Sequence, residues 1–112
     1  MTKQELNHHL ELVRRLEKHR ALLASLEAAG LSDETAGIRD DMANLEAEIQ
    51  RSEVAITTYS ATIDDFEVRM IFRLRFLHGF EWKRVAALIG GKNTGDSVRT
   101  RYHRYLEAHH DE

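Results

Sequence analysis

This chain of 112 residues carries 16 Lys and Arg against 19 Asp and Glu, a formal charge of −3, and it has neither proline nor cysteine. The length suits one domain, or one small domain with an extended arm, and the lack of cysteine excludes disulfide frameworks, cysteine-type zinc sites and thiol chemistry. No apolar run nears the ~20 residues that cross a bilayer, and the polar opening MTKQELNHH does not read as a signal peptide, so the expectation is a cytoplasmic, all-α protein without membrane contact.

The net charge conceals a split. Residues 1–62 hold 7 Lys and Arg against 11 Asp and Glu, a net −4, whereas residues 69–105 hold 9 Lys and Arg against only Glu81 and Asp96, a net +7. An asymmetry of this kind gives one end of the molecule the means to hold a polyanion while the other stays clear of it.

A first helix is expected over residues 2–29, where Leu6, Leu10, Val13, Leu16, Leu23 and Leu26 recur at helical spacing and Leu12 and Leu22 widen the stripe. Gly30 supplies the stop, and Ser32 or Asp33 the cap of the next helix, in which Gly37 is a soft spot. That second helix has the most regular repeat of the chain. Ile38, Met42, Leu45, Ile49, Ser52, Ile56, Tyr59 and Ile63 follow one another at alternating intervals of four and three, an a/d seam broken only by Ser52. Each helix is about 40 Å long at 1.5 Å per residue, and two such helices on a short link form an antiparallel hairpin. A hairpin buries little surface alone, so it serves as a structural or dimerisation arm, or as a docking surface for another protein.

A third helix is expected over residues 64–77. Asp64 stands as its N-cap, Glu67 completes a capping box, and Ile63 with Val68 forms a hydrophobic staple. Its apolar residues run nearly all round, which requires burial on more than one side. Asp65 stands four residues before Arg69, the spacing of an ion pair; Arg69 and Arg73 either pair on the surface or meet phosphate.

Beyond Gly79, Trp82, Val85, Ala86 and Ile89 make an inward stripe over residues 81–89, with Lys83 and Arg84 pointing outward. The glycine-rich turn Gly90-Gly91-Lys92-Asn93 follows, then Thr94 as the cap of a last helix over about residues 95–107. Two short amphipathic helices about such a turn, with a small residue at Ala86 for close approach and Gly90 for a left-handed backbone, make a helix-turn-helix. In the last helix Val98, Tyr102, Tyr105 and Leu106 face inward. The opposite face offers Ser97, Thr100 and Arg104 as candidate base contacts, Arg104 having donors for a guanine. Lys83, Arg84, Lys92, Arg99 and Arg101 are the candidate phosphate contacts. Trp82, Tyr102 and Tyr105 lie on core stripes, which makes them packing residues rather than stacking platforms.

The run RMIFRLRFLHGFEWKRVAALIGG…SVRTRYHRYL resembles the region-4 domain of sigma-70-type factors. It is most similar to small phage-encoded regulators of the ArpU and RinA late-transcription type. The resemblance rests on Trp82, Ala86, Gly90, Val98 and Arg99 in order, and it covers residues 69–106. It implies a phage or prophage transcription regulator that binds double-stranded DNA, with RNA polymerase as a candidate second partner. Val98 stands eight residues after Gly90, where the standard motif has about six, so the turn is longer by two.

His103, Glu107 and His110 share a helical face at i, i+4 and i+7, a spacing open to zinc, but without a partner to orient them they are set aside. No nucleophile elbow, carboxylate dyad or nucleotide loop is present, so no enzyme, metal or cofactor is expected. The expectation is thus a coiled-coil-like helical hairpin over residues 1–62 and a three-helix helix-turn-helix unit over residues 63–112, forming a homodimer through the arm. Two other readings share these features: a small-terminase-like packaging component that recognises DNA, and a coiled-coil interaction module that does not bind it.

Overall fold

The computed structural model describes residues 1–109, in which all regular structure is helical. Helix α1 spans Lys3–Ala28 and α2 spans Ser32–Ala61; α3 spans Phe66–Phe72 and continues through a single π-helical turn, Arg73–Leu77; α4 spans Trp82–Ile89 and α5 spans Gly95–Ala108.

Helices α1 and α2 form the expected hairpin. Thr2 caps α1 by accepting from the Glu5 N–H at 3.1 Å. At the other end Gly30, with φ of +74°, closes a Schellman motif: the Leu31 N–H reaches the Leu26 carbonyl and the Gly30 N–H reaches that of Glu27. This tight exit returns the chain to helix at once. The N-cap position of α2 therefore falls on Leu31, which offers no side-chain cap, and Ser32 and Asp33, expected as caps, lie in the first turn. Glu27 pairs with Arg39, Arg20 with Glu46 and His9 with Ser52; partners that ascend on one helix and descend on the other fix the antiparallel register.

The a/d seam is the face that packs: Leu45, Ile49 and Ile56 of α2 and Ile63 just beyond it are buried, and Leu12 and Leu16 of α1 close over Leu45 and Ile49. Leu22 does not join the stripe as expected. It is 50% exposed, because a two-helix layer covers one side of each helix and Leu22 lies off that side.

Arm and head share one core. Leu6 and Leu10 of α1, Ile56 of α2 and Ile63 of the link pack with Val68, Ile71, Phe72 and Phe76, with Val85 and Ala86 of α4, and with Val98, Tyr102 and Leu106 of α5. Complete burial of Ile63 carries the chain out of helix before Asp64, so the cap of α3 falls one residue later than expected. Asp65 accepts from the Val68 N–H at 3.1 Å. The capping box of Asp64 with Glu67 goes with that shift, while Ile63 and Val68 remain buried in one cluster. The expected partnership of Asp65 with Arg69 is also replaced: Asp65 lies 3.6 Å from Arg101, while Arg69 donates to the Ile63 carbonyl and sits over the Phe66 ring.

The π turn ends α3 with the His78 N–H on the Arg73 carbonyl and the Phe80 N–H on that of Leu74. Arg75 then staples this turn to α4. It donates to the Phe80 carbonyl at 3.0 Å, lies 3.7 Å from Glu81 and sits over the Trp82 ring. On the arm side, Arg73 donates to Ser60.

His9 fastens the arm to the same turn. Its fully buried ring meets the Ser52 hydroxyl, at the break in the seam, and the backbone of Phe76. Burial lowers its pKa below the ordinary value, against the opposing pull of Glu53 and the Phe76 backbone. The unfolded chain titrates His9 near 6.5 and the folded chain below that. The contribution of neutral His9 to stability is therefore complete above pH ~6.5 and is lost as pH falls from there toward the folded pKa. The expected result is a Tm that declines from pH 7.5 to pH 5, and declines less in a His9→Gln variant; equal declines would deny His9 this role.

Candidate nucleic-acid interface

The candidate interface is built on α4 and α5. Trp82, Val85, Ala86 and Ile89 face the core from α4, and Val98, Tyr102 and Leu106 meet them from α5. Gly90, with φ of +82°, and Gly91, with φ of +67°, bend the chain out of α4. Asn93 donates to the Gly90 carbonyl at 2.8 Å and closes the longer turn. Thr94 then caps α5 through a reciprocal pair: Thr94 Oγ1 accepts from the Ser97 N–H at 3.1 Å, and Ser97 Oγ accepts from the Thr94 N–H at 2.8 Å.

The close approach of the two helices is at Gly95, where a Cβ would lie 3.3 Å from the Lys83 backbone nitrogen. The residue read as the contact point, Ala86, is also buried. The backbone crossing itself, however, is set by a glycine that the sequence pattern did not single out. As a result Lys83 stands beside the first turn of α5.

The candidate residues divide by what already holds them. Thr100, Arg99 and Arg104 lie exposed on the solvent side of α5. Arg99 and Arg104 form no ion pair or hydrogen bond with any described residue. Lys83 and Lys92 are likewise exposed, beside the start of α5 and in the turn. Arg84 is exposed but lies over the Phe80 ring, 4.7 Å from its centroid. Arg101 is turned to the flank of α5 that faces α3, 3.6 Å from Asp65 and 3.7 Å from Glu67. Ser97 has committed its hydroxyl to the cap, since it also donates to the Thr94 carbonyl at 3.0 Å. Internal partners thus occupy Arg69, Arg73, Arg75 and Arg101, and the outward charge of the head concentrates on Lys83, Lys92, Arg99 and Arg104.

The aromatic residues are structural. Phe72 lies within 6 Å of Tyr59, Tyr102 and Tyr105, ring centre to ring centre, and Trp82 meets Phe76 and Tyr102. Burial raises the Tyr102 pKa, against Arg75 and Arg99, which lower it.

Two residues outside the predicted set belong to this face. His103 follows Arg99 by one turn, and burial, then Lys3, then Arg99 hold its pKa below the ordinary value, while Glu107 pulls the other way. Lys3 reaches this face because α1 begins beside the second half of α5, with Met1, Thr2 and Lys3 lining a groove with His103, Leu106 and Glu107. Nothing in the helical periodicity of residues 2–29 signals that meeting; the placement of Leu6 in the head core produces it.

Of the histidine and glutamate set considered for zinc, His110 lies outside the described residues, and among those described no group of three His, Asp or Glu is placed to hold a metal ion. No described helix is long and apolar enough to cross a membrane. Compared with family models, curated proteins and solved structures, the chain finds no match.

Proposed function

We propose that this protein is a sequence-specific DNA-binding transcription regulator of phage or prophage type that docks α5 in the major groove. The observation that carries this reading is the state of the head arginines: those facing inward are tied to protein partners, whereas Arg99 and Arg104 stand exposed and unpaired among the described residues of a capped helix. On that face Thr100 and Arg104 read base edges, and Arg99, Lys83 and Lys92 hold phosphates. Ser97 adds orientation of the helix start rather than readout.

The arm brings copies together. Its outer part, beyond Leu16 and Leu45, leaves Leu22 and Leu31 about half exposed; a second copy covers such residues and yields two recognition helices on a repeated or palindromic site. RNA polymerase, the second partner that the sigma-factor resemblance implies, has an exposed apolar groove available on the head, formed by Phe66, Met70, Leu74, Leu88 and Ile89.

The test is selection of bound sequences from a random duplex pool, followed by mobility shifts of the winners across salt concentrations. A recurring motif, with affinity falling steeply as salt rises, is the expected result. Failure to retain any duplex at low salt overturns the proposal and leaves an interaction module with solvated arginines.

A further inference from the structure

Building on that reading, we propose that the first turn of α1 is a second grip on the DNA backbone. In this grip Lys3, which shares a groove with His103, takes a phosphate of the strand across the DNA groove from the one held by Lys83 and Lys92.

The geometry comes from the two ends of α5. Its start lies against the backbone of Lys83, and its second half lies against the start of α1, where Lys3 and His103 line an open groove of about 470 Å³. From Gly95 to His103 the helix advances about 12 Å at 1.5 Å per residue, and the major groove of B-DNA is about 12 Å wide. Cations at the two ends of that span are placed to meet the two strands that wall the groove.

The electrostatics point the same way. Lys3 is the first residue of α1, the end at which the helix dipole disfavours a cation. Burial lowers the pKa of the His103 ring, Lys3 and then Arg99 lower it further, and Glu107 is the opposing charge. Lys3 and His103 share this groove, Arg99 acts on the same ring from one turn earlier in α5, and Glu107 is the one carboxylate among the lining residues. An anionic ligand resolves this crowding, and a backbone phosphate of the duplex read by α5 is the anion that reaches this groove while the helix is docked.

The experiment uses the full chain and a duplex from the selection above. In Lys3→Gln the slope of log affinity against log salt should flatten by about 0.9, the amount for one phosphate contact. Lys3→Arg should keep the parent slope, as should Lys18→Gln on the exposed side of α1, with thermal stability unchanged in all three. His103 adds a readout that bulk charge does not move. A phosphate beside it favours the protonated ring, so parent affinity should rise between pH 8 and pH 6 by more than that of His103→Gln. A parent that binds with the same slope as Lys3→Gln overturns the second grip and leaves the α5 reading standing. Equal flattening in Lys18→Gln overturns it too, by reducing the effect to net charge. A parent that binds no duplex removes both.

Discussion

Replacing Phe72 by alanine is expected to cost about 3–5 kcal/mol and to melt arm and head together. Phe72 is fully buried, and its ring lies 5.8 Å from Tyr59 of α2, 5.4 Å from Tyr102 and 5.7 Å from Tyr105 of α5, and 6.1 Å from Phe76, centre to centre. Its ring contacts join the arm, the π turn and α5, so the cavity left behind has walls on three elements and cannot close by moving one. Against a total stability of about 5–15 kcal/mol for a domain of ordinary size, the loss is a large fraction. At about 4 °C or more per kcal/mol, calorimetry should show Tm falling by about 12 °C or more. The transition should remain single, because Leu6, Leu10 and Ile56 of the arm sit in the same core. A shift of only a few degrees, or a second transition in which the arm melts alone, would contradict this account of the core.

The second large effect is on DNA. Arg104→Ala should cost roughly 1–3 kcal/mol at one base pair, which selection would read as a relaxed preference at that position. Arg99→Ala should weaken binding to every sequence and flatten the salt slope by about 0.9. Arg101 is the internal control. It is among the phosphate-contact candidates of the sequence, and it lies 3.6 Å from Asp65 and 3.7 Å from Glu67 on the α3 side. Its replacement by alanine should leave the slope near the parent value, and exposed pairs of this kind contribute only about 0–1 kcal/mol to stability. If Arg101→Ala changed the slope as much as Arg99→Ala while Arg104→Ala changed nothing, the docking face would be the α3 flank of α5 rather than its solvent side.

The all-helical architecture was legible because its signals are periodic and local. The α2 seam packs as its spacing requires, and Gly30, Gly90 and Thr94 end or begin helices where their backbone and capping chemistry place them. What stayed hidden depends on contacts distant in sequence. The cap of α3 moved to Asp65 because burial of Ile63 fixed the entry of the chain, and the partner of Asp65 became Arg101, which no i, i+4 rule pairs with it. Ser52 read as a break in an apolar seam, whereas it receives the buried ring of His9. The π turn had no sequence signature at all. For the interface, the exposed positions of α5 followed from a helical wheel, but which arginines remain available depended on acids in α3. Lys3 became visible only when α1 was seen to start beside α5.

The shared core also decides what evolution or an engineer can exchange. A junction cut between residues 62 and 63 would strip the head of Leu6, Leu10, Ile56 and the His9 fastening, so the head is not a cassette that travels without its arm. The portion of the hairpin beyond Leu16 and Leu45 contributes nothing to that core. Inserting one heptad into each helix there would lengthen the hairpin by about 10 Å at 1.5 Å per residue and leave every side chain on the solvent side of α5 where it is. The length of the arm and the placement of that surface are separable in this molecule at the tip of the arm.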